Sequence, residues 1–170
     1  MSAKLAPLIV SALLGPQDFA WLDCLRRQHF PVARNRLPAH LTLFRHLPPS
    51  LGPELRQRLG EMARAPRPRA EAVGLIDLGG GVAIRIASPA LEAMRGNLSD
   101  AFAGLLMPQD TAAWQPHVTI QNKVSAIEAR ALHSRLAAEF RSRPIQIDGL
   151  GSWTYQNGLW EPVSRHMFRG

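Results

Sequence analysis

The chain is predicted to be an α+β protein of two lobes related by a pseudo-twofold axis, each lobe a mostly antiparallel sheet backed by helices. Three observations predict it. Read in order, the hydrophobic pattern gives strand, helix, strand, helix, two strands, helix, strand, helix and one or more strands, close to one supersecondary unit stated twice. A short phrase recurs as well, L-P-A-H-L-T-L-F-R-H-L from Leu37 to Leu47 and W-Q-P-H-V-T-I-Q-N-K-V from Trp114 to Val124. Finally, 170 residues with 46% hydrophobic and 19% charged side chains suit a single bilobal domain with a sizeable core.

Each element has a local cause. Leu8 to Leu14 is a continuous apolar run closed by Gly15-Pro16, as expected of a central strand. Pro16 suits the first turn of a helix to about Gln28, with Phe19, Leu22 and Leu25 on its inner face. The basic loop F-P-V-A-R-N-R-L-P, with Arg34 and Arg36 as solvated residues, leads into the first repeat strand. After H-L-P-P-S-L-G-P, whose prolines force a loop, a helix is predicted from about Pro53 to Arg64 with Leu55, Leu59 and Met62 inward. Two strands follow, about Ala72 to Leu78 and Val82 to Ala87. Gly79-Gly80-Gly81 between them reads as a hairpin turn and not a phosphate loop, since no Lys-Ser/Thr follows and no helix begins there.

Ser88-Pro89 opens the next helix, to about Leu106, with Leu91, Met94, Leu98, Phe102 and Leu105 along one stripe. The loop M-P-Q-D-T-A-A-W-Q-P introduces the second repeat strand. Ser125 and Glu128 form a capping box for a helix to about Arg141, with Ala129, Leu132, Leu136 and Phe140 inward. A strand is predicted to begin at Ile145 to Ile147, and the tail from Trp153 to Phe168 reads as a strand or hairpin turning at Asn157-Gly158.

With 6 His in 170 residues, and 4 Thr, a His followed two places on by Thr is expected by chance about 0.14 times. Two occur. In an extended strand alternate side chains share a face, so His40 and Thr42 point one way and Leu41 and Leu43 the other; His117 and Thr119 lie likewise above Val118 and Ile120. Two imidazoles can serve a reaction in which one atom must lose a proton and another gain one. An ordinary His titrates near 6.5 and can fill either role. Threonine hydroxyls can donate to an oxygen on which negative charge builds.

On these residues the chain resembles the two-histidine phosphoesterases, in their 2′-5′ RNA ligase-like and cyclic phosphodiesterase branch. H-L-T-L at His40 to Leu43 and H-V-T-I at His117 to Ile120 match the family's paired H-x-T-x phrases, and the order of elements matches across nearly the whole chain. The resemblance implies that the two strands face each other across a central cleft. It also implies acid-base roles for His40 and His117, phosphate contacts from Thr42 and Thr119, and no metal or other cofactor. The expected substrates are RNA or nucleotides with a 2′,3′-cyclic phosphate or a 2′-5′ linkage. Which His is the acid is left open, and with no nucleotide-activating motif ATP-driven ligation is not expected.

Strand parity, if each strand stays regular, adds Phe44 as a base-stacking candidate, with core packing as its alternative, and Gln121 and Lys123 as substrate-binding candidates on the same faces. His46 is expected to be peripheral, Trp153 and Tyr155 share a face that either lines the cleft or, the commoner case, packs in the core or at the rim, and His29, His133 and His166 match no motif.

The net charge of +7 favours polyanions such as RNA. All 20 basic residues except Lys4 and Lys123 are Arg, which fits phosphate recognition and a biased genome equally. The single Cys24 excludes an internal disulfide and fits a cytoplasmic location. No apolar run approaches the roughly 20 residues of a membrane span, so no membrane partner is expected, and the protein is expected to be a monomer. The run after Lys4 imitates a signal peptide but lacks an A-x-A-type cleavage site, and is assigned to the first strand. Competing readings are a non-catalytic RNA-binding module on the same fold, a phosphodiesterase for a small non-RNA cyclic phosphate, and a metal hydrolase in which Asp77 or Asp148 joins the two His.

Overall fold

The computed structural model describes residues 5–170, so Lys4 lies outside the described residues. The elements are β1 (Leu8–Leu14), α1 (Pro16–His29), β2 (Leu41–Leu47), α2 (Gly52–Met62), β3 (Ala70–Asp77), β4 (Val82–Ala87), α3 (Pro89–Ala101), α4 (Pro108–Thr111), β5 (His117–Gln121), α5 (Ala126–Glu139), β6 (Arg143–Ile145), β7 (Ile147–Gln156) and β8 (Leu159–Met167). They build two four-stranded sheets, ordered β2-β1-β7-β8 and β5-β4-β3-β6, and every ladder is antiparallel. In each sheet a repeat strand forms one edge beside the strand that precedes it across a helix. The edges formed by β2 and β5 adjoin. Among the described residues no helix is long and apolar enough to cross a membrane.

Packing explains the order. α2 lies against β7 and β8, α5 against β3 and β4, and α1 against β5 of the other sheet. Val10, Leu41, Leu59, Ile84, Leu98, Val118 and Leu132 belong to one continuous core that joins both lobes. Local signals start the helices where expected: Ser88 Oγ accepts from the Leu91 N–H at 3.3 Å, and Ser125 Oγ from the Glu128 N–H at 3.2 Å.

Four sequence expectations change. α3 stops at Ala101, not Leu106: Phe102 caps it, Gly104 takes φ +83, and Leu105 is left 51% exposed. α1 buries Asp18, Leu22 and Arg26, so the inward stripe is polar at both ends and Phe19 stays on the surface. The stretch Ile145 to Ile147 is divided between two sheets, β6 ending at Ile145 and β7 beginning at Ile147. The supposed loop before the second repeat strand contains the single turn α4, started by Pro108.

The β3–β4 hairpin turns through Gly79 at φ +82, and Gly81 lies directly on the Gln121 carbonyl of β5. A Cβ there would collide with main chain, which no rotamer change relieves. Gly81→Ala is therefore expected to cost about 3 kcal/mol of stability, read from urea denaturation. Gly74→Ala, with open space at the Cβ, is the control.

Candidate active site

His40 immediately precedes β2 and His117 opens β5, and both side chains line a cleft of about 620 Å³ together with Thr42 and Thr119. The two imidazoles are anchored alike. His40 Nδ1 donates to the Pro38 carbonyl at 2.8 Å and His117 Nδ1 to the Gln115 carbonyl at 2.7 Å, each two residues back. A carbonyl can only accept, so Nδ1 carries the proton and Nε2 is the working nitrogen on both rings. Asp23 of α1 accepts the Ala39 N–H at 2.9 Å and so fixes the approach to His40.

The strands are not regular. In β2, Thr42 pairs with Ser11 but Phe44 with the next residue along, Val10, leaving Leu43 as an extra residue. In β5, Thr119 pairs with Ala83 and Gln121 with Val82, leaving Ile120 extra. Each repeat thus carries a β-bulge directly after its Thr, and the burial sequence from His to the fourth residue on is the same in both: partly open, buried, partly open, buried, buried.

The bulges remove the parity candidates from the cleft. Phe44 is fully buried under the Arg95 guanidinium, which sits 4.5 Å from its ring centroid, so its face is not free for a base. Gln121 is buried, and its Oε1 has no hydrogen-bond partner among the described residues. Lys123 lies beyond the end of β5 at φ +63, exposed and outside the cleft lining, where Asn122 stands instead. Tyr155 does line the cleft, and Trp153 packs at its margin with its indole N–H on Ser11 Oγ at 2.7 Å.

An edge strand carries main-chain groups with no ladder partner, and here the opposite half of the chain supplies them. Trp114 donates to the Thr42 carbonyl at 3.1 Å. Arg95 of α3 donates to the Leu43 carbonyl at 3.0 Å and to the Asp110 main-chain carbonyl at 2.8 Å. The Asp110 carboxylate accepts the Arg45 and His46 N–H groups at 2.9 and 3.0 Å. Across the cleft, Arg26 of α1 donates to the Thr119 carbonyl at 2.9 Å. The buried guanidiniums of Arg26 and Arg95 both reach the cleft. Burial lowers the pKa of each from its ordinary value, against the opposing pull of Asp23 and Asp110 respectively.

These residues escaped the sequence reading, although a signal was present. Arg95 stands four places after Leu91 and three before Leu98, inside an apolar stripe, and Arg26 stands four after Leu22. Trp160 gave no such sign. It comes from β8, and its ring lies 4.6 Å from that of His40, tilted by 57°. The pKa of His40 is pushed down to about 4, chiefly by burial, against the hydrogen bond to Pro38; Arg26, His117 and Arg45 push it further down. Its imidazole is neutral at pH 7.

Two antiparallel four-stranded sheets presenting a His-Thr pair each on adjoining edges define a bilobal α+β protein of the two-histidine type. The chain belongs to the 2′-5′ RNA ligase superfamily, whose sequence profile it matches over residues 15–159. Among solved structures, TT0787 of Thermus thermophilus is 16% identical at a TM-score of 0.60, with 96% of this chain and 98% of that one covered. E. coli LigT complexed with 3′-AMP is also 16% identical at a TM-score of 0.60, with 98% and 99% covered. No curated protein matches in sequence.

Proposed function

We propose that the protein is a metal-independent phosphodiesterase acting at ribose 2′-oxygens, on 2′-5′ linkages or 2′,3′-cyclic phosphates of RNA or nucleotides. The carrying observation is the pair of identically anchored imidazoles, each with Nε2 available, on adjoining strand edges in one cleft. His40, neutral at pH 7, takes the proton of the attacking oxygen. His117 gives a proton to the leaving oxygen from the opposite wall, and the Thr42 and Thr119 hydroxyls donate to the non-bridging oxygens. Both roles exchange when the reaction runs backwards. Superfamily membership supports a phosphoesterase, and LigT has been solved with 3′-AMP and with phosphate, the kinds of ligand this chemistry requires.

The test offers the purified protein a 2′,3′-cyclic nucleotide and a 2′-5′-linked dinucleotide, with and without chelator, across pH. Turnover of at least one is expected, undiminished by chelator. As a base, His40 works only when neutral, and with its pKa at about 4 that form prevails at all higher pH. The rate is therefore expected to fall on the acid side as pH drops through about 4, and not near the ordinary value of 6.5. Loss of activity with chelator would favour a metal-dependent reaction. Binding of RNA without turnover of either substrate would favour a non-catalytic module.

A further inference from the structure

The His40–Trp160 contact divides a longer depression. One side is the cleft already described; the other is a second recess of about 360 Å³ that shares only Leu37, His40 and Trp160 with it. Its walls are apolar and partly flat: Leu13 and Leu14 of β1, Phe19 of α1, Pro38, and the Trp153 and Trp160 indoles, whose centroids lie 6.1 Å apart. Ser11 and Arg165 are the polar groups that join His40 in its lining. A side chain at Gly151 would press on two of these walls, its Cβ coming within 3.1 Å of Leu13 Cδ2 and 3.3 Å of Trp153 Nε1. Phe19 is 36% exposed here, an aromatic ring left wet although its helix has a core to bury it in. The recess lies at the lower end of the range of about 300–1,000 Å³ typical of small-molecule sites.

A flat apolar slot with indole walls and a guanidinium in its lining suits a heterocyclic base, which stacks on aromatic faces whatever its identity. We propose that this recess holds the base of the nucleoside on the His40 flank of the scissile phosphate, stacked against Trp160. The inference rests on the phosphodiesterase reading and deepens it: the recess reads the base of the nucleoside whose 2′- and 3′-oxygens flank the phosphorus, in a 2′-5′-linked dinucleotide or in a 2′,3′-cyclic nucleotide. The nucleoside beside His40 is then the one bearing the attacking ribose hydroxyl. Its 3′-oxygen bonds to phosphorus and its proton passes to His40 Nε2. The bond from phosphorus to the 5′-oxygen breaks, and that oxygen takes a proton from His117. The products are a 2′,3′-cyclic phosphate on the nucleoside in the recess and a free 5′-hydroxyl on the other. In opening of the cyclic phosphate, water bonds to phosphorus and gives its proton to His117, the bond from phosphorus to one ribose oxygen breaks, and His40 returns its proton to that oxygen.

The experiment uses the full chain and two variants, Leu13→Trp, which fills the recess, and Phe19→Ala, which removes a surface wall and is safe for folding. Substrates are a 2′-5′-linked dinucleotide and its analogue with an abasic ribose on the 2′ side. Alongside, calorimetry measures binding of adenosine 3′-monophosphate and of inorganic phosphate. Wild type is expected to prefer the base-bearing dinucleotide by about tenfold in kcat/KM, and to bind the nucleotide about tenfold more tightly than phosphate. Both ratios are expected to fall towards one in Leu13→Trp and partway in Phe19→Ala. Turnover without preference for the base, or ratios indifferent to both variants, would overturn the subsite and leave the phosphodiesterase reading standing. A wild type that turns over neither dinucleotide, yet binds the nucleotide in a manner lost with Leu13→Trp, would keep the subsite and remove the catalytic reading.

Discussion

His40→Ala is expected to lower kcat/KM on a 2′-5′-linked dinucleotide or a 2′,3′-cyclic nucleotide by roughly 10² to 10⁴, the usual worth of one general acid-base group, and His117→Ala by a similar factor. The two are expected to be far from additive, because each proton transfer is useful only if the other occurs in the same displacement. Structural damage is a poor alternative explanation for such a loss. Among the described residues each ring is hydrogen-bonded to a carbonyl two residues back in its own chain, and both residues line the cleft. Thermal melting of the variants checks this. Activity surviving both substitutions together would end the two-histidine mechanism, whatever the fold.

The second large effect is on stability. Arg95→Ala is expected to cost about 3 kcal/mol, measured by urea denaturation, because one guanidinium serves two main-chain carbonyls and covers two rings. Leu43 and Asp110 would lose their donor, and the Phe44 and Trp114 rings, 4.5 and 5.5 Å from the guanidinium carbon, would lose their cover. The bulge in β2 would then lack its main-chain partner, so activity should fall beyond the loss of folded protein. Arg27→Ala is the contrast. Its ion pair with Asp23 is on the surface, with the Arg27 side chain 70% exposed, and its removal is expected to change stability by less than about 0.5 kcal/mol. Equal effects from the two substitutions would mean that the buried guanidinium does not hold the strand edge.

The contrast between these residues shows what the sequence could reveal. Periodicity located every long helix and the two repeat strands, because apolar spacing and local capping are written in neighbouring residues. The H-x-T-x phrases marked the candidate catalytic pairs for the same reason. Parity then misled at Phe44 and Gln121, since a bulge is decided by the partner strand: only the pairings of Ser11 and Val10, or of Ala83 and Val82, reveal the extra residue. Trp160 was out of reach in a stronger sense. Its contact with His40 depends on β8 lying in the same sheet as β2, an arrangement of strands far apart in the chain. Ile145 to Ile147 failed for a related cause, as nothing local says that two isoleucines so close together serve different sheets.

Gln146, the one residue between β6 and β7, has both main-chain groups tied to the start of α1: its N–H to the Asp18 carboxylate at 2.7 Å and its carbonyl to the Gly15 N–H at 2.8 Å. Gly15 has no room for a side chain against it. A junction so short and so fully bonded has no slack of its own, so a change in the spacing of the two walls would have to be taken up elsewhere, as in the longer connection from β2 to β3 through α2. To the extent that the junction holds the walls at this spacing, less of a ligand's binding energy is diverted into closing the protein around it.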